Sequence, residues 1–409
     1  MKKIWILNHY AVPPQLGPWS RHFKFAENLI KKGYEVKIFA ASTIHNSDKN
    51  LILDSRKYLY KEFNDVLFVF IKACSYKGNS KDRIKNMLDY AIGLMSVSKK
   101  FDLEKPDVIY ASSVHPLTWL VGYRLAKRYN AKFIAETRDL WPETLVAMRK
   151  IKRDSIPARI LYKLEKFIYK KADKLIFTFP GGKDYVESIG LDSSKVRYIN
   201  NGVDLEEFNK NKLQNEYIDK ELDNNEKFNV IYTGSMGITN SLGYLIKSAK
   251  IIQEKGIKDI QFILFGDGYQ KRELEEYVKN NNVNNVVFKG KVEKKYIPNI
   301  LSKSDLNIFT GKNIDLYKYG LSLNKMFDYF ASGKPTLSNI DCGYDILKQY
   351  NCGITVKGGS AEALAEGILK FYNMPKKEYE TYCINALKAA RDFDFKILTE
   401  KLEKVILED

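Results

Sequence analysis

The pattern that most constrains this chain is a repeated alternation of two kinds of segment. Short apolar runs rich in β-branched and aromatic residues alternate with amphipathic stretches of helical length, which is typical of β-α units on a parallel sheet. The first predicted strand leads through a loop into a helix over Ser20–Lys32 that ends at Gly33, as at the start of a doubly wound sheet. The strands predicted in the first half lie near Lys3–Asn8, Glu35–Ala41, Val66–Ile71, Asp107–Ser112, Lys132–Glu136, Lys174–Phe179 and Val196–Ile199.

The same alternation begins again after a polar stretch at residues 209–226. The strands predicted there lie near Phe228–Thr233, Gln261–Phe265, Val286–Lys289, Leu306–Phe309, Pro335–Ser338 and Gly353–Val356. Because 409 residues exceed what one core usually organises, we predict an α/β protein with two tandem Rossmann-like domains whose parallel sheets face each other across a cleft. We place the first domain at 1–208, a linker at 209–226, the second domain at 227–375, and C-terminal helices at 376–409 that dock back on the first domain.

Composition indicates a chain that is folded throughout and works in a reducing cytoplasm. The four cysteines are too few and too irregularly spaced for a disulfide framework or a zinc site. The apolar run near the start ends at Asn8, which is too short for a signal peptide, and no stretch approaches the roughly 18 apolar residues that span a bilayer. We therefore expect any membrane contact to be peripheral, at the inner face of the cell membrane.

The net charge of +17 predicts an anionic partner, and one segment concentrates it. Between Arg149 and Lys174 there are ten Lys or Arg residues against three Asp or Glu. A helix is predicted from Ser155, with Pro157 near its first turn. Its apolar stripe is Ile160, Leu161, Leu164, Phe167 and Ile168, flanked by Lys163, Lys166, Lys170 and Lys171. Basic residues near an anionic leaflet are worth roughly 1 kcal/mol each, so the segment predicts membrane attachment, with an ordinary solvated helix as the alternative.

Two glycine-containing loops follow predicted strands at the starts of the two domains. In the first, Pro13-Pro14-Gln15-Leu16-Gly17 leads into the helix that carries Arg21, and in the second, Gly234, Ser235 and Met236 precede a helix. Glycine lets a ligand approach the backbone, and free N–H groups at a helix start attract anions. Both loops therefore predict phosphate binding. The first lacks the Gly-x-Gly-x-x-Gly spacing, and a structural βα turn is the alternative for each.

The segment from Gly320 to Pro335 is the most informative of the second half. Ser322 or Asn324 is expected to cap a helix whose first turn holds Lys325, which places a cation beside any bound diphosphate. Asp328 lies three residues further on, where a carboxylate can accept hydrogen bonds from ribose hydroxyls. The alternative is a surface ion pair between Lys325 and Asp328.

In the first half, one loop after a predicted strand contains several charged residues and a tryptophan. These residues are Glu136, Arg138, Asp139, Trp141 and Glu143. Charged residues at the carboxyl end of a strand usually serve a site, because burying them for structure alone is costly. A salt-bridged structural loop is the alternative.

The sequence gives little support for a metal site or for nucleic-acid binding. The four histidines (His9, His22, His45 and His115) form no spaced metal set, and Asp392-Phe393-Asp394 lies between two predicted helices rather than after a strand, where we interpret it as a helix cap. No nucleic-acid module is present, and the basic segment lacks regularly spaced stacking aromatics. We therefore expect no metal, no cofactor and no nucleic acid.

Taken together, these segments resemble the family 4 retaining glycosyltransferases, particularly the branch that makes bacterial capsule and O-antigen sugars. The resemblance extends over nearly the whole chain and rests on seven segments in order. They are Pro13–Gly17 with Arg21, Glu136–Glu143, Asn201–Asp204 with Phe208, Thr233–Ser235, Phe265–Gly268, Asn324–Tyr329 and Gly333–Pro335.

The resemblance implies a GT-B fold and transfer of a sugar, with retention, from a nucleotide-diphosphate sugar to a lipid-linked or saccharide acceptor. UDP is the expected nucleotide. The donor-binding residues implied are Gly17, Gly234, Ser235, Met236, Ser322, Asn324, Lys325 and Asp328. The catalytic residues implied are Glu136, Arg138 and Asp139, and the acceptor-side residues are Arg21, Trp141 and Glu143.

The chain departs from the family pattern at three places. Of the usual two glutamates, which are separated by seven intervening residues, Gly320 takes the first position and Asp328 the second. The common His-Asp pair is Arg138-Asp139 here, which leaves the acid-base assignment open. The loop at Gly234 lacks the usual Arg and Lys, so Lys325 is the residue expected to neutralise the phosphate charge.

Two rival interpretations remain. One is another GT-B enzyme, such as a sugar-nucleotide epimerase, and the other is a catalytically silent basic nucleic-acid-binding or scaffolding protein.

Overall fold

The computed structural model describes residues 2–17, 20–45, 47–76, 78, 81–113 and 115–408. The chain folds into two compact units, each built around one sheet. The first unit contains the chain up to Asn200 and again from Phe395 onward, and the second is Asn201–Asp394. The predicted boundary near residue 208 therefore lies eight residues too late.

The first unit is organised by a sheet with the strand order β3-β4-β2-β1-β5-β6-β7-β8 in the described part of the chain. Its strands are β1 Lys3–Leu7, β2 Glu35–Ala41, β3 Tyr58–Phe63, β4 Val66–Ile71, β5 Val108–Ser112, β6 Lys132–Thr137, β7 Lys174–Phe177 and β8 Val196–Tyr198. All pairs are parallel except β3 with β4. Strand β3 was not predicted from the sequence: it is an edge strand with no fully buried residue, and its apolar residues are interrupted by Lys61 and Glu62.

Helices cover this sheet and place the loops after its strands at one edge. They are α1 Arg21–Lys31, α2 Lys81–Val97, α3 Pro116–Tyr129, α4 Glu143–Ala147, α5 Ile156–Lys171, α6 Gly182–Ser188 and, from the end of the chain, α15 Phe395–Leu407. The strand order reverses beside β1, between β2 and β5. In open α/β sheets such a switch point opens a crevice at the carboxyl ends of the strands, which is where ligands bind.

The second unit is organised by a parallel sheet with the order β11-β10-β9-β12-β13-β14. Its strands are β9 Phe228–Thr233, β10 Ile260–Phe265, β11 Val286–Gly290, β12 Leu306–Phe309, β13 Thr336–Ser338 and β14 Gly353–Thr355. Its helices are α7 Leu205–Gln214, α8 Gly243–Glu254, α9 Lys271–Asn280, α10 Ile297–Ser302, α11 Asn324–Ala331, α12 Ile346–Tyr350, α13 Ala361–Tyr372 and α14 Lys376–Asp392. Apolar side chains of β9, β10 and β12 pack against α8 and α13 to form a buried core.

The stretch at 209–226, predicted to be a linker, is part of the second unit. Residues 205–214 form α7, which packs against α10, and the segment that follows is held by ion pairs. Lys289 lies 2.6 Å from Asp219 and 2.7 Å from Glu221, and Lys303 lies 2.5 Å from Asp223. The prediction failed because polar composition alone does not distinguish a free linker from a segment fixed by charges of distant strands and helices.

The C-terminal helices divide between the two units instead of docking together on the first. Helix α14 packs on α11 and α12, whereas α15 packs on α1, where Phe25 and Phe395 meet edge-on at 5.8 Å. Phe393, just after α14, packs on Phe327 at 5.1 Å. Burial of these aromatic side chains on different cores explains why the chain changes unit at this point. Of the helices in the described ranges, none is long and apolar enough to cross a membrane.

Candidate active site

Two glycine loops of the second unit lie backbone against backbone at the carboxyl edge of its sheet. Gly234 follows β9 with φ +146°, and Gly266 follows β10 with φ +139°. A Cβ atom on Gly266 would lie 1.7 Å from the carbonyl oxygen of Gly234, so only glycine permits this approach. The Gly234 N–H donates to Phe265 O at 2.9 Å. The exposed Ser235 N–H has no acceptor within the described residues, and this leaves a donor at the sheet edge.

Met236 does not face a ligand, contrary to the prediction. Its side chain is fully buried in the core of the second unit. Its N–H donates to Asp267 O at 2.8 Å, and its carbonyl oxygen accepts from Gln270 N at 3.1 Å. The residue therefore joins two loops, and only Gly234 and Ser235 of the predicted triplet remain available to a ligand.

Lys325 is the central cation of this edge. Its ammonium group donates to the Tyr232 hydroxyl at 2.9 Å and to Asn240 Oδ1 at 3.1 Å, and it lies 4.2 Å from the centre of the Tyr232 ring. No carboxylate of the described residues pairs with it, so the alternative of a surface ion pair with Asp328 is wrong. Burial lowers the pKa of Lys325 to about 7. A Cβ on Gly234 would lie 2.7 Å from its Nζ, so the cation sits directly against the glycine loop.

The helix that carries Lys325 begins without a side-chain cap. Leu323 occupies the N-cap position, and neither Ser322 nor Asn324 caps the helix as predicted. Ser322 instead binds Asn201: its Oγ accepts from Asn201 N at 3.3 Å, and its carbonyl oxygen accepts from Asn201 Nδ2 at 3.0 Å. Asn324 is exposed in the first turn of α11. Met326 N–H donates to the Leu323 carbonyl oxygen at 3.1 Å. The N–H groups of Asn324 and Lys325, at the very start of α11, have no acceptor among the described residues and lie next to the Lys325 cation.

Asp328 lies on the same helix, half-buried and without a hydrogen bond or ion pair to its carboxylate from any described residue. Burial raises the pKa of Asp328, the charge of Lys294 opposes this rise, and Glu207 adds to it. Gly320, which stands where the resemblance implies a glutamate, has φ +101° and ψ 179°. An L side chain rarely adopts this conformation, so the backbone itself disfavours a glutamate at this position.

In the first unit, Glu136 forms the centre of a closed internal network. Arg21 contacts its Oε1 through Nε at 3.0 Å and through a terminal nitrogen at 2.7 Å. Tyr110 donates to the same oxygen at 2.6 Å, and His22 contacts Oε2 at 2.9 Å. Burial opposes its ionisation, but the Arg21 charge and the His22 hydrogen bond hold the pKa of Glu136 well below its usual value.

This network corrects two assignments. Glu136 is fully buried, and Arg21 is 4% exposed. Arg21 also donates to the carbonyl oxygens of Ile199, at 2.8 Å, and Asn200. Because every polar atom of the pair is used internally, Glu136 has no oxygen left for catalysis and Arg21 no donor for an acceptor. Both residues instead hold β6, α1 and the chain after β8 together.

The next two predicted catalytic residues, Arg138 and Asp139, differ from Glu136 in their side-chain contacts. Arg138 is half-buried and Asp139 is exposed, and neither side chain makes a hydrogen bond or ion pair with a described residue. The backbone of Arg138 is fixed on both sides: its N–H donates to Ser113 Oγ and its carbonyl oxygen accepts from Thr178 Oγ1, each at 3.3 Å. Desolvation raises the pKa of Asp139, and the neighbouring Arg138 charge opposes this rise. The loop at the carboxyl edge of β6 thus carries a guanidinium and a carboxylate that influence each other electrostatically but form no direct ion pair.

Three predicted residues of the first unit remain: Trp141, Gly17 and Glu143. Trp141 is half-buried, and the first-loop Gly17 leaves 3.0 Å between its hypothetical Cβ and Val12 Cγ2. Glu143 pairs with Arg153 at 2.6 Å, which joins α4 to the chain before α5. Glu143 is therefore an ion-pair partner rather than a free acceptor contact. No described residue gives Trp141 a polar contact that would assign it a role.

The sequence analysis missed a cluster in the first unit that includes two histidines. Asn86 donates to Thr43 Oγ1 and to Cys74 O, which turns its Oδ1 toward His9 Nε2 at 2.7 Å. His9 Nε2 must then carry the proton, so His9 Nδ1 accepts from His115 Nε2 at 2.9 Å. His115 Nδ1 remains a bare acceptor, buried and without a partner.

Burial and the Arg83 charge lower the pKa of His115 to about 3, so the ring stays neutral. The signal for this cluster was present in the sequence, because His9 and His115 each follow a predicted strand and those strands are neighbours in the sheet. Among the described residues, no group of three or more His, Cys, Asp or Glu side chains could hold a metal ion.

Comparison with known proteins agrees with this architecture. Residues 23–207 match the family model described as Glycosyltransferase Family 4, and residues 214–389 match that described as Glycosyl transferases group 1. No curated protein sequence matches the chain.

Among solved structures, the chain is similar to sucrose-phosphate synthase from Thermosynechococcus elongatus, with a TM-score of 0.73 and 18% identity over 99% of this chain and 98% of that one. HepE from Anabaena, in complex with UDP and glucose, gives a TM-score of 0.68 and 14% identity over 99% of both chains. WaaG, a glycosyltransferase involved in lipopolysaccharide biosynthesis, gives 0.67 and 14% over 99% of this chain and 100% of that one. The fold is thus the GT-B fold, as predicted. With the two family models, it identifies the chain as a glycosyltransferase.

Proposed function

We propose that this glycosyltransferase uses a UDP-sugar as donor and transfers the sugar, with retention, to a lipid-linked or saccharide acceptor in bacterial surface polysaccharide synthesis. The observation that carries the donor assignment is Lys325, a desolvated cation without a carboxylate partner beside a glycine loop and an uncapped helix start. A desolvated cation without a counter-ion is energetically costly, and a bound anionic ligand would neutralise its charge.

Each polar group of the second-unit edge has a role in this proposal. Lys325, the first N–H groups of α11 and the Ser235 N–H bind the diphosphate, and Asp328 accepts hydrogen bonds from the ribose hydroxyls. Gly234 gives the phosphates access to the backbone. UDP is the expected nucleotide because HepE, which has this fold, was solved with UDP and glucose.

The chemistry that follows is electrostatic. The bond between the anomeric carbon and the diphosphate oxygen breaks, and its electron pair leaves with the UDP. An acceptor hydroxyl attacks from the same face, and its proton passes to the departing diphosphate. Lys325 and the α11 N–H groups stabilise the negative charge that develops there. Asp139 and Arg138 are assigned to the acceptor or the reacting centre, because neither side chain has a hydrogen bond or ion pair to a described residue and Ser113 and Thr178 hold the backbone of Arg138.

A thermal-shift panel with UDP, GDP, CDP and ADP tests the donor assignment. Binding at about 100 times Kd should stabilise the chain by about 2.7 kcal/mol, and UDP should give the largest shift. Lys325→Met should lose this shift, whereas Lys370→Met, an exposed lysine of α13, should keep it. A panel in which no nucleotide stabilises the wild-type protein contradicts the proposal.

Two further assays separate the rival functions. Formation of an altered free sugar nucleotide without any acceptor indicates an epimerase instead of a transferase. DNA or RNA binding that falls steeply with salt, together with no hydrolysis of UDP-sugars, indicates a nucleic-acid-binding or scaffolding protein.

The acceptor proposal uses the basic segment at 149–174, which we assign to an anionic membrane surface. Every exposed charged side chain of α5 is basic, whereas its one acidic residue, Glu165, is buried against Tyr185. Of the predicted apolar stripe, Ile168 faces the core, and Ile160 and Phe167 are exposed beside the lysines. Reversal of Lys163, Lys166 and Lys170 to Glu should weaken sedimentation with anionic vesicles at low salt and leave UDP binding intact. The assignment is contradicted if wild-type protein does not sediment with such vesicles even at low salt.

A further inference from the structure

Helix α2 of the first unit carries an apolar ridge that remains largely exposed in the described part of the chain. Ile84, Leu88 and Ile92 are 62%, 44% and 68% exposed. They are spaced four residues apart, so they share one face of the helix. The opposite face holds Tyr90 and Leu94 against the sheet. Single exposed apolar residues are ordinary, but three in a row on one face form a surface.

The ridge belongs to a larger face made of three neighbouring helices. Helix α3 packs against α2 on one side and against α5 on the other. Tyr123 of α3 meets Phe167 of α5 edge-on at 5.3 Å. Helices α2, α3 and α5 are therefore consecutive neighbours, and the α2 ridge and Ile156 and Ile160 of α5 are all exposed on them.

The charges on this face indicate what kind of partner it binds. Helix α3 contains no acidic residue, and it exposes Arg124 and Lys127. The exposed charged side chains of α5 are all basic, and α2 carries Lys81, Arg83 and Lys85 against Asp82 and Asp89. A second copy of the same face would bring like charges together, whereas an anionic bilayer offers negative headgroups for the basic side chains and an apolar interior for the ridge.

We propose that α2, α3 and α5 form one membrane-docking surface, in which the α2 ridge with Ile156, Ile160 and Phe167 enters the bilayer interface while the basic side chains bind anionic headgroups. This extends the proposed attachment through α5 by a second, apolar contribution on a helix that the sequence analysis did not consider. The two contributions differ in their response to salt. Screening weakens headgroup contacts as the Debye length falls from about 10 Å at 0.1 M to about 3 Å at 1 M, but it leaves apolar insertion in place.

Sedimentation of the full chain with vesicles of equal phosphatidylglycerol and phosphatidylcholine tests the surface. The ridge variant is Ile84→Ser with Leu88→Ser and Ile92→Ser, and the charge variant is Lys163→Glu with Lys166→Glu and Lys170→Glu. The control is Ile384→Ser on α14 of the second unit, a site 67% exposed. We expect the ridge variant to bind about tenfold more weakly than wild type at low salt and to lose all binding that persists at about 1 M salt. The control should match wild type at both.

Other results overturn the proposal. Equal binding by the ridge variant and wild type at both salt concentrations removes α2 from the surface. Wild-type self-association in sedimentation velocity that the ridge variant abolishes identifies a second copy as the occupant. Salt-sensitive binding to a DNA duplex that exceeds vesicle binding identifies nucleic acid. Since vesicle binding is measured without nucleotide, a failure here leaves the donor assignment untouched, and circular dichroism of each variant excludes a folding defect.

Discussion

Glu136 is fully buried and Lys325 half-buried, and both carry charges near the carboxyl edge of a parallel sheet, yet their surroundings differ completely. Arg21, His22 and the Tyr110 hydroxyl all contact the Glu136 carboxylate, and both of its oxygens have partners. Lys325 has only neutral partners, the Tyr232 hydroxyl and the Asn240 amide oxygen. The first arrangement stabilises the fold, whereas the second leaves a charge for a ligand to neutralise.

The difference shows that burial and charge alone do not identify a functional residue. Charge balance within the folded chain does: a charge that the protein neutralises itself serves stability, and one that it leaves unbalanced serves binding. Arg138 and Asp139 show the same contrast one turn away from Glu136, because their side chains lack partners in the described structure while that of Glu136 has four contacts.

The largest expected effect tests the structural side of the comparison. Glu136→Gln leaves Arg21 buried without an anion, so the free energy of unfolding should fall by about 3–5 kcal/mol. The matched control is Glu276→Gln, which breaks the exposed pair with Arg272 and should cost at most about 1 kcal/mol. Urea unfolding of both variants measures the difference. Equal stabilities would show that the Glu136 network is not structural.

The next prediction concerns the unpaired carboxylate beside that network. On the hypothesis that Asp139 acts at the acceptor or the reacting centre, Asp139→Asn should lower turnover about a hundredfold. The change should move the free energy of unfolding by no more than about 0.5 kcal/mol, because the side chain is exposed and without a partner. Steady-state kinetics with UDP titration checks this. Near-normal turnover in a folded variant would assign the loop to structure.

The donor residues should show binding effects of intermediate size. Lys325→Ala and Asp328→Ala should each weaken UDP binding by about 1.5–3 kcal/mol, the usual loss for a hydrogen bond to a charged group. Calorimetry measures the affinities, and the unfolding free energy should not fall with Lys325→Ala, since a desolvated cation is removed. Unchanged UDP affinity in both variants would refute the assignment.

The smallest effect is a pH dependence that belongs to Lys325. Its pKa is about 7 without ligand, and a bound diphosphate would raise it, so the contribution to affinity is complete below about pH 7. It should decline as pH rises from there toward the higher pKa of the complex, by at most about 1.4 kcal/mol per pH unit. Phosphate ionisation, with a pKa near 6, is complete in this range. UDP affinity measured between about pH 7 and 9 should fall for wild type and stay level for Lys325→Arg. A level wild-type profile would contradict the lowered pKa.

The sequence by itself determined the architecture. Short continuous apolar runs located most strands of both sheets, because a buried parallel strand must be apolar along its length, and amphipathic stretches located the helices between them. The glycine loops and the Lys325–Asp328 segment could also be located, since a tight turn and a helix start depend on local residues. Two elements were not predicted: the edge strand β3, which pairs with β4, and α7, which overlaps the supposed linker and packs against α10.

Only the tertiary structure decided which charged residues are free. Glu136 and Asp139 look alike in sequence, three residues apart in one loop, but Arg21, His22 and Tyr110 reach Glu136 from more than 25 residues away and none reaches Asp139. The same holds for Met236, which the fold buries, and for the His9–His115 pair, which neighbouring strands bring together. A periodic pattern specifies burial along one element, whereas hydrogen-bond partners come from other elements, so charge balance becomes visible only when the chain has folded.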